Sequence, residues 1–231
     1  MREISNDIFK KTLKKKIFFE HINIFVMNKV FQRFNPVVLL ISGAIITLCP
    51  VKASWEWNGD ISSLINAVID GAEQTMGKFA GAPPVDLKWC DEGTFYNIRE
   101  KYICFQPDFM SQLATIGDAA VAFVAAHEYA HHIVHSVPEV REITKNNILR
   151  EELQADCFAG TILATLKNIK FDENDVREML YAADLVGDKL YDDYLKHHGS
   201  GENRALALRA GLRYGATKEK DLYFTMFCSQ D

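Results

Sequence analysis

GDAAVAFVAAHEYAHHIVHSV, residues 117–137, is the stretch on which the fold turns. From Ala119 to Ala126 eight apolar or small residues run without a break, so a helix here is apolar around nearly its whole circumference. Such a helix belongs inside a core. His127, Glu128 and His131 then interrupt it. Burying a carboxylate without a partner costs on the order of several kcal/mol, so a metal or another charge has to lie close by. Four residues of helix turn through about 400°, which places His127 and His131 on nearly the same face, one turn apart. Two imidazoles so placed can grip one ion. Glu128 lies about 100° round from His127 and points beside that ion, a position that suits a general base better than a ligand. H-E-x-x-H is nevertheless short enough to arise by chance, and the rest of the chain has to decide.

Catalytic zinc takes three protein ligands and keeps one position open. The metzincin pattern would put its third histidine at position 137 and a glycine at 134; Val137 and Val134 stand there, which excludes it. His135 continues the helical face but drifts about 80° from His127. His132 points elsewhere and reads as a supporting or surface residue. The missing acid comes from EELQAD, residues 151–156. Glu152 and Asp156 are four apart and share a stripe with Leu149, Leu153, Gly160 and Leu163. Two acids on an inward stripe require cations. Glu152 follows His131 by 21 residues, enough for a loop and a returning helix, and reads as the third ligand. Asp156, one turn on, can accept the free ring N–H of His127 and fix its tautomer. Glu151 points out of the stripe and reads as a surface charge.

Around this pair of helices the pattern is mostly helical. DISSLINAVIDGAEQTMGKFAG carries a helical stripe capped by Asp60, and a fourth helix is expected from Asp172 in DENDVREMLYAADLVGD. HGSGENRALALRAGLRYG reads as a turn and a fifth helix capped by Ser200. APPVDLKW and KYICF are short strands joined by a turn region, CDEGTFYNIRE, and PEVREITKN reads as a polar loop. The expected fold is therefore α+β, mostly helical, with a small sheet on the N-terminal side.

With 48% hydrophobic and 25% charged residues, the 231-residue chain has the composition of a globular protein with one real core. Its first 53 residues differ from the rest. Met27 opens a short basic stretch, an apolar run from Val37 to Cys49 has the length of a signal-peptide core, and VKA precedes a cleavage expected between Ala53 and Ser54. We read residues 1–53 as an N-terminal extension and signal peptide with a true start at Met27, and 54–231 as the working domain. Export to a periplasmic or extracellular location follows. The alternative is a membrane anchor, if the apolar run stays uncleaved, although that run is short of the ~20 residues a span needs.

Residues 1–53 carry nine of the 26 basic and three of the 31 acidic residues, so residues 54–231 hold 17 and 28, a net charge of −11. That excludes nucleic acid and anionic lipid as electrostatic partners. Cys90, Cys104, Cys157 and Cys228 remain after cleavage, an even count in an oxidising compartment. The preferred pairs are Cys90 with Cys104, a loop closure worth roughly 3 kcal/mol, and Cys157 with Cys228.

H-E-x-x-H followed by E-x-x-x-D is the gluzincin pattern, and AAHEYAHH, ELQADCFAG, AADLVGD and HGSGENRALALRAG, in that order, resemble the putative neutral zinc metallopeptidase family of bacteria over residues 117–215. The family commonly has glycine where this chain has Ala130. The resemblance implies a zincin-like fold, one Zn2+ per chain and hydrolysis of a peptide or protein substrate. In similar zinc peptidases a histidine lies on the substrate side of the metal and an arginine follows in the next helix. His198 and Arg204 match that order, which implies that His198 stabilises the oxyanion and that Arg204 braces the site through Asp156 or Glu128. The expected mechanism has zinc at His127, His131 and Glu152, with Glu128 as general base. Two other readings compete: an envelope scaffold in which zinc merely staples two helices, and a secreted interaction protein with no metal. A staple has no use for Glu128.

Overall fold

The computed structural model describes residues 38–41, 44–47, 59–167, 169–187 and 198–216. The chain divides into two units, Met1–Lys52 and Ala53–Asp231. The first contains an antiparallel hairpin of β1 (Val38–Ile41) and β2 (Ala44–Thr47), with Val38 opposite Thr47. This hairpin occupies the apolar run assigned above to a signal peptide; Met27 and the expected cleavage position between Ala53 and Ser54 lie outside the described residues. No helix among the described residues is long and apolar enough to cross a membrane.

In the second unit Asp60 starts α1 (Ile61–Ala72) by accepting the Ser63 N–H at 2.7 Å, and the stripe Leu64, Ile65, Val68 and Ile69 is buried. The helix continues through a π turn, Glu73–Gly77, and a last turn, Lys78–Ala80. Three strands follow: β3 (Asp86–Trp89), β4 (Phe95–Asn97) and β5 (Tyr102–Phe105). Their order is β3-β5-β4, with β3 parallel and β4 antiparallel to β5, and Ile103 pairs with Leu87 on one side and Tyr96 on the other. β4 lies in the stretch expected to be only a turn; three residues are too few for alternation to register. The Cys90–Cys104 disulfide ties the end of β3 to β5, as expected. Cys157 is also disulfide-bonded, and Cys228, the partner expected for it, lies outside the described residues.

A short helix, α2 (Pro107–Ala114), leads into α3 (Asp118–Ser136), the central element. Residues Ala119 to Ala126 are all buried, and α3 packs against α1, the sheet and the later helices. PEVREITKN corrects an expectation: Pro138–Thr144 is a helix, α4, not a loop. Proline is pre-organised for a first helical turn, and only Val140 and Thr144 turn inward, too few to give a readable period. Three longer helices complete the domain. These are α5 (Ile148–Thr165, capped by Asn147), α6 (Glu173–Leu185, with a capping box at Asp172 and Asp175) and α7 (Gly201–Gly215, capped by Ser200). The result is a mostly helical α+β domain with a small three-stranded sheet, consistent with a zincin-like fold.

The contact between α5 and α7 sets the geometry of the site. Gly160 and Gly211 let the two backbones touch, and the Thr161 hydroxyl lies 3.1 Å from both the Cys157 and Gly211 carbonyl oxygens. A Cβ on Gly211 would meet the Cys157 carbonyl, and one on Gly160 the Leu208 carbonyl. Neither backbone can yield locally. Gly211→Ala is therefore expected to destabilise the fold by about 1–3 kcal/mol or more, read as a lowered urea midpoint; an unchanged midpoint would mean the helices separate freely.

Candidate functional site

α3 and α5 lie side by side and bring the polar residues of both stripes to one cleft of about 340 Å³. His131 Nε2 is 3.1 Å from His127 Nε2. Glu152 Oε2 is 3.4 Å from His127 Nε2, and its Oε1 is 3.6 Å from His131 Nε2. A tetrahedral zinc with bonds of about 2.0–2.1 Å has ligand-to-ligand edges of about 3.3 Å. The three observed separations bracket that value, so His127, His131 and Glu152 form a donor set of the right type and spacing for zinc.

Charge acts in the same direction. Glu152 is held well below the usual carboxylate range: burial alone would raise it, but hydrogen bonds from His127 and His198 and the charge of both ligand histidines prevail. Burial would also lower His127, yet the Asp156 carboxylate outweighs it, and Arg204 opposes only in part, so the ring is pushed up to about 10. The Glu152 and Asp156 carboxylates thus place negative charge beside the ring, and the Arg204 guanidinium, with Nη2 3.3 Å from both His127 nitrogens, offsets part of it.

Asp156 has no exposed surface, and its Oδ1 lies 2.9 Å from His127 Nδ1. It is gripped by Arg204, whose Nε donates to Oδ2 at 2.8 Å and whose Nη2 donates to Oδ1 at 3.0 Å. The close approach of α7 to α5 makes this pair possible. The Arg204 Nη1 donates to the Val186 carbonyl at 3.2 Å, and Nη2 stands 3.3 Å from Glu152 Oε2. Of the two contacts expected for Arg204, the structure shows the one to Asp156.

Glu128 is buried and lines the cleft, and its burial raises its pKa against the pull of His127 and His131. His198, just before α7, lines the same cleft with half its side chain exposed, and its Nδ1 is 3.0 Å from Glu152 Oε1. The apolar part of the lining comes from Phe95, Ile98 and Phe109 and from Phe123 and Val124 of α3 itself.

Glu151 and His132 lie elsewhere than their sequence reading placed them. Glu151 is no surface charge: it is partly buried, with Oε1 2.7 Å from His135 Nε2 and 3.3 Å from His131 Nδ1. Burial would raise it, but those two histidines hold it down to about 2. His132 is fully buried and tethers α3 to the sheet side, with Nε2 2.7 Å from the Pro83 carbonyl and Nδ1 3.2 Å from the Tyr96 hydroxyl. The sequence cue for Glu151 was its place directly before Glu152, opposite a third histidine at i+4.

Over 111 residues the chain is 34% identical to the uncharacterized protein YpfJ of Escherichia coli (strain K12), a match covering 43% of this chain and 37% of that protein. Over 156 residues it is 30% identical to the uncharacterized protein Rv2575 of Mycobacterium tuberculosis (strain ATCC 25618 / H37Rv), covering 58% of this chain and 50% of that protein. The chain thus spans half or less of the length of these relatives. No solved structure matches it. Residues 91–207, just over half of the chain, match the model of the putative neutral zinc metallopeptidases, and the chain belongs to that family.

Proposed function

We propose that the protein is an exported zinc-dependent peptidase that hydrolyses peptide bonds in the cleft that the metal ligands and these apolar residues line. The observation that carries this reading is the convergence of His127, His131 and Glu152 at tetrahedral-edge distances beside a buried carboxyl that is not one of the three. Zinc held there supplies Lewis acidity, which acidifies water and polarises a carbonyl. Glu128 takes the proton of the attacking water on its carboxylate and delivers it to the leaving amine nitrogen. Burial raises its pKa, against the pull of the His127 and His131 rings beside it. Asp156 keeps His127 in the tautomer that leaves Nε2 free to bind, and Arg204 holds Asp156 in place. His198 offers a donor on the substrate side for the developing oxyanion, worth about 3 kcal/mol in the barrier. The partly exposed Phe95 and Phe109 rings select substrates with a large apolar residue next to the scissile bond. Export is supported by the Cys90–Cys104 disulfide, since such bonds persist in oxidising compartments.

The test begins with metal. The purified protein is expected to hold one zinc per chain, to lose it to a chelator, and to cleave members of a broad peptide library only when loaded. His198→Ala is expected to keep its zinc and to slow cleavage by about a hundredfold, the counterpart of about 3 kcal/mol. An unchanged rate with unchanged zinc would remove His198 from the reaction, and absence of bound zinc would overturn the whole reading.

A further inference from the structure

Each of the two histidines in the donor set turns its Nε2 to the common centre and its Nδ1 to a carboxylate. For His127 that carboxylate is Asp156, at 2.9 Å, itself held by Arg204. For His131 it is Glu151, at 3.3 Å. The parallel extends one step further, because Glu151 Oε1 also receives His135 Nε2 at 2.7 Å. His135 is fixed in turn by a stacked contact with Tyr96 of β4, ring centroids 6.0 Å apart and 23° between planes. Its Nδ1 is buried with no hydrogen-bond partner among the described residues, so a neutral ring with its proton on Nε2 leaves only an unprotonated nitrogen unpaired. That tautomer is a donor to Glu151.

We propose that Glu151, oriented by His135, is the positioning carboxylate for His131, so that both histidines of the centre are held by carboxylates one position removed from the metal. This inference rests on the zinc-site reading above. With zinc on Nε2, His131 carries its proton on Nδ1 and donates it to Glu151 Oε1, the same oxygen that His135 approaches from one helical turn along α3. One oxygen serving two donors fixes the His131 ring in rotation and raises its basicity as a ligand. The three groups also satisfy the distance requirement for a cation of their own. The 2.7 Å separation of His135 Nε2 and Glu151 Oε1 favours a hydrogen bond, because two ligands of one tetrahedral ion sit about 3.3 Å apart.

The experiment measures zinc affinity of the full chain by chelator competition, together with the visible spectrum of the cobalt-substituted protein. Glu151→Ala is expected to weaken zinc binding 10- to 100-fold, to leave stoichiometry at one, and to alter the cobalt bands. Glu151→Gln, which keeps an acceptor oxygen without the charge, is expected to fall between. His135→Ala is expected to weaken binding less than tenfold, and the Glu151→Ala/His135→Ala double variant to be no weaker than Glu151→Ala alone, since His135 acts through Glu151. Thermal midpoints of the metal-free variants show whether each chain is folded. Affinity and cobalt spectrum of folded Glu151→Ala within twofold and unchanged from wild type would overturn the inference, as would additive losses in the double variant. A wild type with two zinc ions that falls to one in Glu151→Ala would also overturn it, making the cluster a second metal site. Glu152→Ala separates the two layers of argument: if it leaves zinc affinity intact, the zinc-site reading fails; if it abolishes binding while Glu151→Ala does not weaken it, only this inference fails.

Discussion

Glu128→Gln is expected to keep one zinc per chain and to lose a factor of about 10²–10⁴ in peptide hydrolysis. Glutamine has the shape of glutamate and can still hydrogen-bond water, but it cannot take the proton that must leave as water attacks, nor return one to the amine. The loss corresponds to roughly 3–5 kcal/mol of barrier. Zinc should stay because Glu128 lies outside the trio whose atoms converge. Both quantities are measurable on the same preparation, as metal content and as the rate on whichever library peptide the wild type cleaves. Retained activity would remove Glu128 as the base. If wild type and variant both hold zinc and neither cleaves any peptide, the scaffold reading gains what the peptidase reading loses.

Arg204→Ala carries the largest expected effect on stability, about 3–5 kcal/mol. Asp156 has no exposed surface, and Arg204 supplies two of its hydrogen bonds and its compensating charge. Truncation strands a buried carboxylate, whereas removing both charges leaves nothing uncompensated. The Arg204→Met/Asp156→Leu double variant should therefore be markedly more stable than Arg204→Ala. Urea unfolding of the metal-free proteins, with wild type beside them, gives both differences. A loss below about 1 kcal/mol for Arg204→Ala would show that water reaches Asp156 and that the pair is far weaker than a buried one.

Much of this arrangement can be read in one dimension because helices repeat. The positions of His127 and His131 on α3, and of Glu152 and Asp156 on α5, follow from four-residue spacing and from the rule that inward acids seek cations. Caps at Asp60, Asn147, Asp172 and Ser200 mark four helix starts; Asp60, Asp172 and Ser200 stand out in the sequence as side chains able to accept the free N–H groups of a first turn. What escapes is whatever depends on how two elements cross. Glu151 lies about 100° from Glu152 and leaves the apolar stripe, yet His131 and His135 on the neighbouring helix reach it. His132 is bonded to residues 49 and 36 positions away, and no local period announces such partners. α4 and β4 fail for a simpler reason: seven and three residues hold too few repeats to rise above noise.

The glycine contact between α5 and α7 has a mechanical implication for how a bulky chain would enter. With their backbones in touch, α5 and α7 cannot part without breaking that contact, so on the peptidase reading proposed above a substrate would enter at the other margin of the cleft. That margin is formed by β4, the turn after it and α2, which carry Phe95, Ile98 and Phe109 and pack more thinly on α3. If the peptidase reading holds, aperture and chemistry would sit on separate parts of the domain, and substitutions at the margin are expected to alter which peptides are cleaved while zinc affinity stays as in wild type.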